Sequence, residues 1–153
     1  MKRVAAICIA GLAAACGSDG GDRSSWAEEA NAACRQAIEE AESIPEPGSV
    51  EEAVTVLQRY NEVGRRLDAK LRRLRPAPDE RERARRMVDA YAAVLPIQEG
   101  MADALRQGDQ PTFQMLGKRM EELGARGDRL ALDLGAEDCA REAFDEEADA
   151  DVD

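Results

Sequence analysis

The stretch SVEEAVTVLQRYNEVGRRLDAKLRRLRP, residues 49–76, sets the reading of the whole chain. Val50, Val54, Leu57, Asn61, Gly64, Leu67, Leu71 and Leu74 recur at steps of three and four. That step is the repeat of an α-helix buried along one side, not the alternation of a strand. Ser49 with Glu52 three places on is a capping box that starts the helix, and Pro76 and Pro78 stop it.

Three more helices follow by the same rule. One runs from about Ser25 to Ser43. Ser24 or Ser25 caps it, and its inward stripe is Trp26, Ala30, Ala33, Ala37 and Ala41. Pro45, Pro47 and Gly48 end it. A helix over about Asp79–Gln107 carries Ala84, Met87, Val88, Tyr91, Val94, Leu95, Gln98, Met101, Ala102 and Leu105 inward. Pro96 removes one of its backbone hydrogen bonds and predicts a kink. After Gly108, Asp109 caps a last helix with Pro111 in its first turn. Its stripe is Phe113, Leu116, Met120, Leu123, Gly127, Leu130 and Leu134, with Gly135 as the stop. Four amphipathic helices joined by short turns predict an all-α, antiparallel up-down-up-down four-helix bundle over residues 24–139.

Outside the bundle the chain reads differently. Lys2 and Arg3 precede a twelve-residue apolar run, Val4 to Ala15, which is too short to span a bilayer and suits a signal peptide over residues 1–15. Small residues flank Cys16, in the sequence Leu12-Ala13-Ala14-Ala15-Cys16-Gly17-Ser18. This resembles a bacterial lipobox, with Ala13 where Leu is more usual. The resemblance implies cleavage before Cys16 and a diacyl lipid, palmitate among its chains, on that residue. The bland alternative is ordinary cleavage after Ala15 with a free thiol at Cys16. Residues 16–23, rich in Gly, Ser and Asp, form a flexible tether. Residues 140–153 hold seven acids against Arg141 and read as a disordered acidic tail.

Of four cysteines, Cys8 leaves with the leader and Cys16 takes the lipid. Cys34 and Cys139, 105 positions apart, remain to pair as a disulfide in an oxidising compartment. Two separate thiols or a metal pair are the alternatives, the second disfavoured by the absence of C-x-x-C and of histidine.

The composition removes whole classes of chemistry. Without histidine there is no imidazole base, no usual zinc site and no Glu-x-x-His di-iron motif. No metal or cofactor is expected. Met87, Met101, Met115 and Met120 invite a soft-metal reading, but core packing is the commoner role of such residues. Carboxylates are plentiful but fall on predicted solvent faces, which places a hydrolase last.

Charge is unevenly spread. From Cys16 onward 19 Lys and Arg face 32 Asp and Glu, a formal −13. The window Arg65–Arg86 reverses this. Arg65, Arg66, Lys70, Arg72, Arg73, Arg75, Arg81, Arg83, Arg85 and Arg86 face four acids there, a local +6. In the predicted bundle this window is the end where the tether enters. It is a candidate membrane-facing basic tip, against the plainer reading of a solvated, mutually paired helix surface. The acidic tail masking this tip is a third possibility. Nucleic acid is not expected as a partner, because the net charge repels phosphate.

Trp26, Asn31 and Cys34, the paired prolines between helices two and three, Gly108-Asp109 and the closing Gly135 to Cys139 resemble small actinobacterial secreted or lipid-anchored helical proteins of unknown function. That resemblance brings no activity. The expected function is a non-catalytic, monomeric module, lipid-anchored on the outer face of the cell membrane (or the periplasmic side in a Gram-negative cell). It would contact an unidentified envelope protein or the membrane surface. The alternative is a carrier of a small ligand or metal, with a cavity opened by Pro96, Gly64, Gly100, Gly124 and Gly127. Asn61 and Gln98, polar residues in apolar stripes, would line such a cavity or fix helix register, with Tyr60 and Tyr91 as partners.

Overall fold

The computed structural model describes residues 25–140; the leader, Cys16, the tether and residues 141–153 lie outside the described residues. Five helices follow in order: α1 (Ser25–Glu42), α2 (Val50–Leu71), α3 (Arg81–Ala92), α4 (Leu95–Gln107) and α5 (Gln110–Asp133). A 3₁₀ turn, Glu137–Cys139, closes the chain. α3 and α4 together form the third stem of an antiparallel four-helix bundle.

The caps predicted at Ser49, Gly108, Asp109 and Gly135 are in place, with one shift, while Ser24, the candidate cap of the first helix, lies outside the described residues. Ser49 Oγ accepts the Glu52 N–H at 3.2 Å, but the Glu52 carboxylate reaches back to the Gly48 N–H at 2.6 Å. Gly108 and Gly135 adopt φ of +67° and +73°. Each lets the following N–H reach back into the finished helix, Asp109 to the Ala104 carbonyl and Ala136 to the Ala131 carbonyl, both at 2.9 Å. Asp109 then caps α5 by accepting the Thr112 N–H at 3.1 Å.

Those Thr112 hydrogen bonds hold the Asp109 carboxyl below its ordinary range. A depressed carboxylate contributes stability above its unfolded pKa and loses it as pH falls through the folded value. Asp109→Asn retains the cap without the titration. It is expected to leave the denaturation midpoint unchanged at neutral pH and to flatten its decline below about pH 4. An unchanged acid decline would show that Asp109 contributes nothing to it.

The expected kink at Pro96 is a full break. Pro96 sits in the first turn of α4, where its missing N–H costs nothing. Around it the ladder tightens: the Val94 N–H takes the Tyr91 carbonyl at 3.1 Å, and the Ile97 N–H takes that of Val94 at 3.0 Å. Asn61, 5% exposed, pins the break from α2 by donating its amide to the Leu95 carbonyl at 2.7 Å. The partner expected for Asn61 was a tyrosine; the bond instead fixes where α2 meets the bend.

The main core lies at the end where α1 begins. Trp26, Ala27, Ala30, Ala33 and Cys34 of α1 pack with Leu71, Ala84, Met87, Val88 and Ala131. Cys34 and Cys139 form the disulfide, with Cα atoms 5.0 Å apart. One turn away, buried Asn31 donates to the Gly135 carbonyl at 3.0 Å and accepts the Asp138 N–H at 2.9 Å. α1 is therefore fastened to the closing turn covalently, by two part-buried hydrogen bonds and by the Arg35–Asp138 pair.

α1 lies along only the second half of α2. Lys70 donates to Gln36 at 2.8 Å and Arg66 pairs with Glu40, so α1 has ended by the level of Gly64. Beyond that level α2 lies beside α4. Val50, expected to open the inward stripe, is 58% exposed for this reason.

Two glycines test the packing in opposite directions. A Cβ on Gly127 would meet the Tyr91 ring at 2.6 Å, whereas one on Gly64 would meet only the Leu95 Cδ2 methyl, at 2.7 Å. A ring wedged between two helices cannot move aside; a leucine methyl at the end of a flexible side chain can. Gly64→Ala is therefore expected to be neutral, or to stabilise by up to about 1 kcal/mol through helix propensity. Gly127→Ala should destabilise by about 1–3 kcal/mol despite the same gain. Chemical denaturation of the two variants checks the contrast, and equal effects would contradict it.

Among the described residues no helix is long and apolar enough to cross a bilayer. The disulfide fits an oxidising compartment outside the cytoplasm.

Candidate functional site

α1 leans on α2 and the closing turn, while α5 leans on α3 and α4. The two helices that would complete the ring, α1 and α5, make no extended contact. The side chains that face across the gap are too small to fill it. Ala37 and Ala41 stand on α1, and Gly124 on α5. The result is a half-open apolar cleft of about 370 Å³, within the range of small-molecule sites.

The cleft is floored by Val63, Gly64 and Leu67 of α2, Val88 and Tyr91 of α3, Val94 at the break, and Leu95 of α4. Ile38 and Met120 form parts of its opposing walls. Ile38 is 46% exposed, so its apolar side chain stands at the mouth, partly in water.

A few polar groups converge on this apolar surface. The Gln98 Oε1 atom is buried and has no hydrogen-bond partner among the described residues. An unpaired buried carbonyl oxygen costs free energy. Near the disulfide the Tyr91 hydroxyl lies 2.8 Å from the Cys139 carbonyl and 3.0 Å from an Asp128 carboxylate oxygen. Its single proton serves one of them at a time. Asp138 at the same end is paired with Arg35. Asp68, on the α2 side, takes Arg72 Nε at 2.9 Å.

The shifted pKa values belong to surface pairs and to the α5 cap. The bond to Asp68, with Asp89 adding to it, raises Arg72. Glu82 raises Arg85 and is itself lowered by it.

The residues expected to open a cavity divide. Gly64 and Gly124 line the cleft. Gly127 is filled by Tyr91 and Gly100 by Leu116. Pro96 is not part of the lining. The opening comes from the separation of α1 and α5, which no single residue announces. Tyr60 lines the cleft beside Gln98, while Tyr91 is engaged with Asp128 and Cys139. The methionines also separate: Met87 and Met101 are buried in the core, Met120 is on the cleft wall, and Met115 is 60% exposed. Among the described residues no cluster of three or more Cys, Asp or Glu is placed to hold a metal ion.

The basic window is partly neutralised on the surface. Arg65 pairs with Glu99, Arg66 with Glu40, Arg72 with Asp68 and Asp89, Arg85 with Glu82 and Asp89, and Arg86 with Glu82. Lys70 donates to Gln36. Arg73, Arg75, Arg81 and Arg83 have no ion pair among the described residues. These four flank the turn between α2 and α3. Comparison with protein-family models, with curated proteins and with solved structures finds no match.

Proposed function

We propose that this chain is an exported, lipid-anchored, non-catalytic binding module that holds a small apolar molecule between α1 and α5. The observation that carries the reading is the apolar cleft of about 370 Å³ between α1 and α5. A well-packed bundle would close such a space, because unfilled apolar surface forfeits contacts with neighbouring atoms. The ligand class follows from the lining: a compact, largely hydrocarbon molecule. The anchor rests on the lipobox-like sequence at Cys16, and the disulfide supports export. The cleft favours this carrier reading over a module that acts through its surface alone.

The test is titration of the whole chain with N-phenyl-1-naphthylamine, an uncharged apolar dye that fluoresces when it leaves water. Saturable binding of one dye per chain is expected. Ala37→Phe with Ala41→Phe fills the cleft from α1 and should weaken binding by at least about tenfold, some 1.4 kcal/mol. Circular dichroism and an intact disulfide would show that the variant folds. Equal dye binding by the two proteins would remove the cleft as the site.

A further inference from the structure

At the end of the bundle where α1 starts, a hollow of about 470 Å³ lies between α1, the end of α2 and the start of α3. Its floor is apolar, with Trp26, Leu74 and Ala84, and arginines including Arg75 and Arg81 stand at its rim. We propose that this end of the bundle docks on a bilayer surface rich in anionic phospholipid, with the headgroup phosphates received by Arg73, Arg75, Arg81 and Arg83. The inference goes beyond the cleft, and for its geometry it rests on Cys16 as the lipid-bearing residue.

Two observations carry it. The first is charge. In a chain of formal charge −11, this window holds ten cations against four acids. The pairs described above satisfy the helical flanks and leave the four arginines around the α2–α3 turn without an ion pair among the described residues. The second is the point where the chain enters. Trp26 lies in the floor of the hollow, and α1 starts one residue before it. In the sequence, residues 16–24 join Cys16 to this end. Nine residues span at most about 30 Å when fully extended, so a lipid on Cys16 keeps the arginines within that distance of the membrane. Tethering at this range raises the effective concentration of the surface, and each arginine near anionic headgroups adds roughly a fivefold preference.

Trp26 is the chain's single tryptophan and lies at this end, so it reports the contact directly. The full chain, purified from its own envelope, is reconstituted into vesicles whose headgroups carry a dansyl acceptor. Vesicles of phosphatidylcholine alone are compared with vesicles containing about one-third phosphatidylglycerol. Energy transfer from Trp26 is expected to be at least about twofold higher on the anionic vesicles, and to lose that excess in about 0.5 M salt. Replacing the four arginines with glutamine should abolish the excess; replacing them with lysine should keep it. Arg73, Arg75 and Arg81 are exposed and Arg83 is half-buried, and an unchanged helix content confirms the fold.

Equal transfer on both vesicles, or an excess that survives the glutamine variant, would overturn the proposal. An excess that appears only after residues 141–153 are removed would also overturn it, by showing that the acidic segment occupies the tip. The mass of the same preparation shows separately whether Cys16 carries lipid, so a missing anchor is not mistaken for an inert tip.

Discussion

Replacing Cys34 and Cys139 with alanine is expected to lower the stability of the domain by about 4–5 kcal/mol. The pair closes a loop of 105 residues, nearly the whole described chain. Cross-linking a loop of that length restricts the unfolded ensemble by roughly that amount. The local consequence is as informative as the total. Without the bond, α1 is held to the closing turn by Asn31 and the Arg35–Asp138 pair, and to α2 by packing. α1 supplies Trp26, Ala27, Ala30 and Ala33 to the core, so its release would expose the core and one wall of the cleft together. The denaturant midpoint should fall, and dye binding should be lost at lower denaturant than the helices of α2–α5. A loss under about 1 kcal/mol would mean that the unfolded chain is already compact near this loop.

Trp26→Ala is the largest single core deletion available and is expected to cost about 3–5 kcal/mol. Trp26 is 2% exposed and sits among Leu71, Leu74, Ala84 and Val88. Many of its neighbours in α1 are alanines, which have no side-chain reach to close the space left behind. The cost should therefore fall at the upper end of the range. Trp26→Phe fills most of the volume and should recover about half of the loss. Thermal unfolding reads the difference as a fall of about 15 °C for the alanine variant. A fall of a few degrees would show that α1 does not complete the core.

These effects separate what could be read from the chain from what could not. Helix ends were legible because Ser49, Gly108, Asp109 and Gly135 each satisfy backbone groups within a few residues. The disulfide was legible because two cysteines remained after export was accounted for. The break after Val94 was half legible: Pro96 predicts a lost hydrogen bond, but whether a helix bends or restarts depends on what braces it. Here Asn61 braces it from a helix 34 positions earlier.

The cleft was not legible. Ala37 and Ala41 continue the stripe of Trp26, Ala30 and Ala33, and periodicity tells which way a side chain faces, not how far away the opposite helix stands. Val63, 7% exposed, lies off the expected α2 stripe, because α2 has α1 on one flank and α4 on another. Asn31 carried a weaker signal. A polar residue between Trp26 and Cys34 on a buried face needs partners, but those partners lie 104 and 107 positions away. Only the folded chain identifies them.

Occupancy of the space between α1 and α5 in the cell is decided by native mass spectrometry of the protein taken from its own envelope, beside the variant carrying Ala37→Phe and Ala41→Phe. Expected is a chain starting at a diacylated Cys16, two protons lighter for Cys34–Cys139, with a small apolar molecule bound to the native protein and absent from the filled variant. The native protein with nothing bound, or the same molecule retained by both, would contradict it.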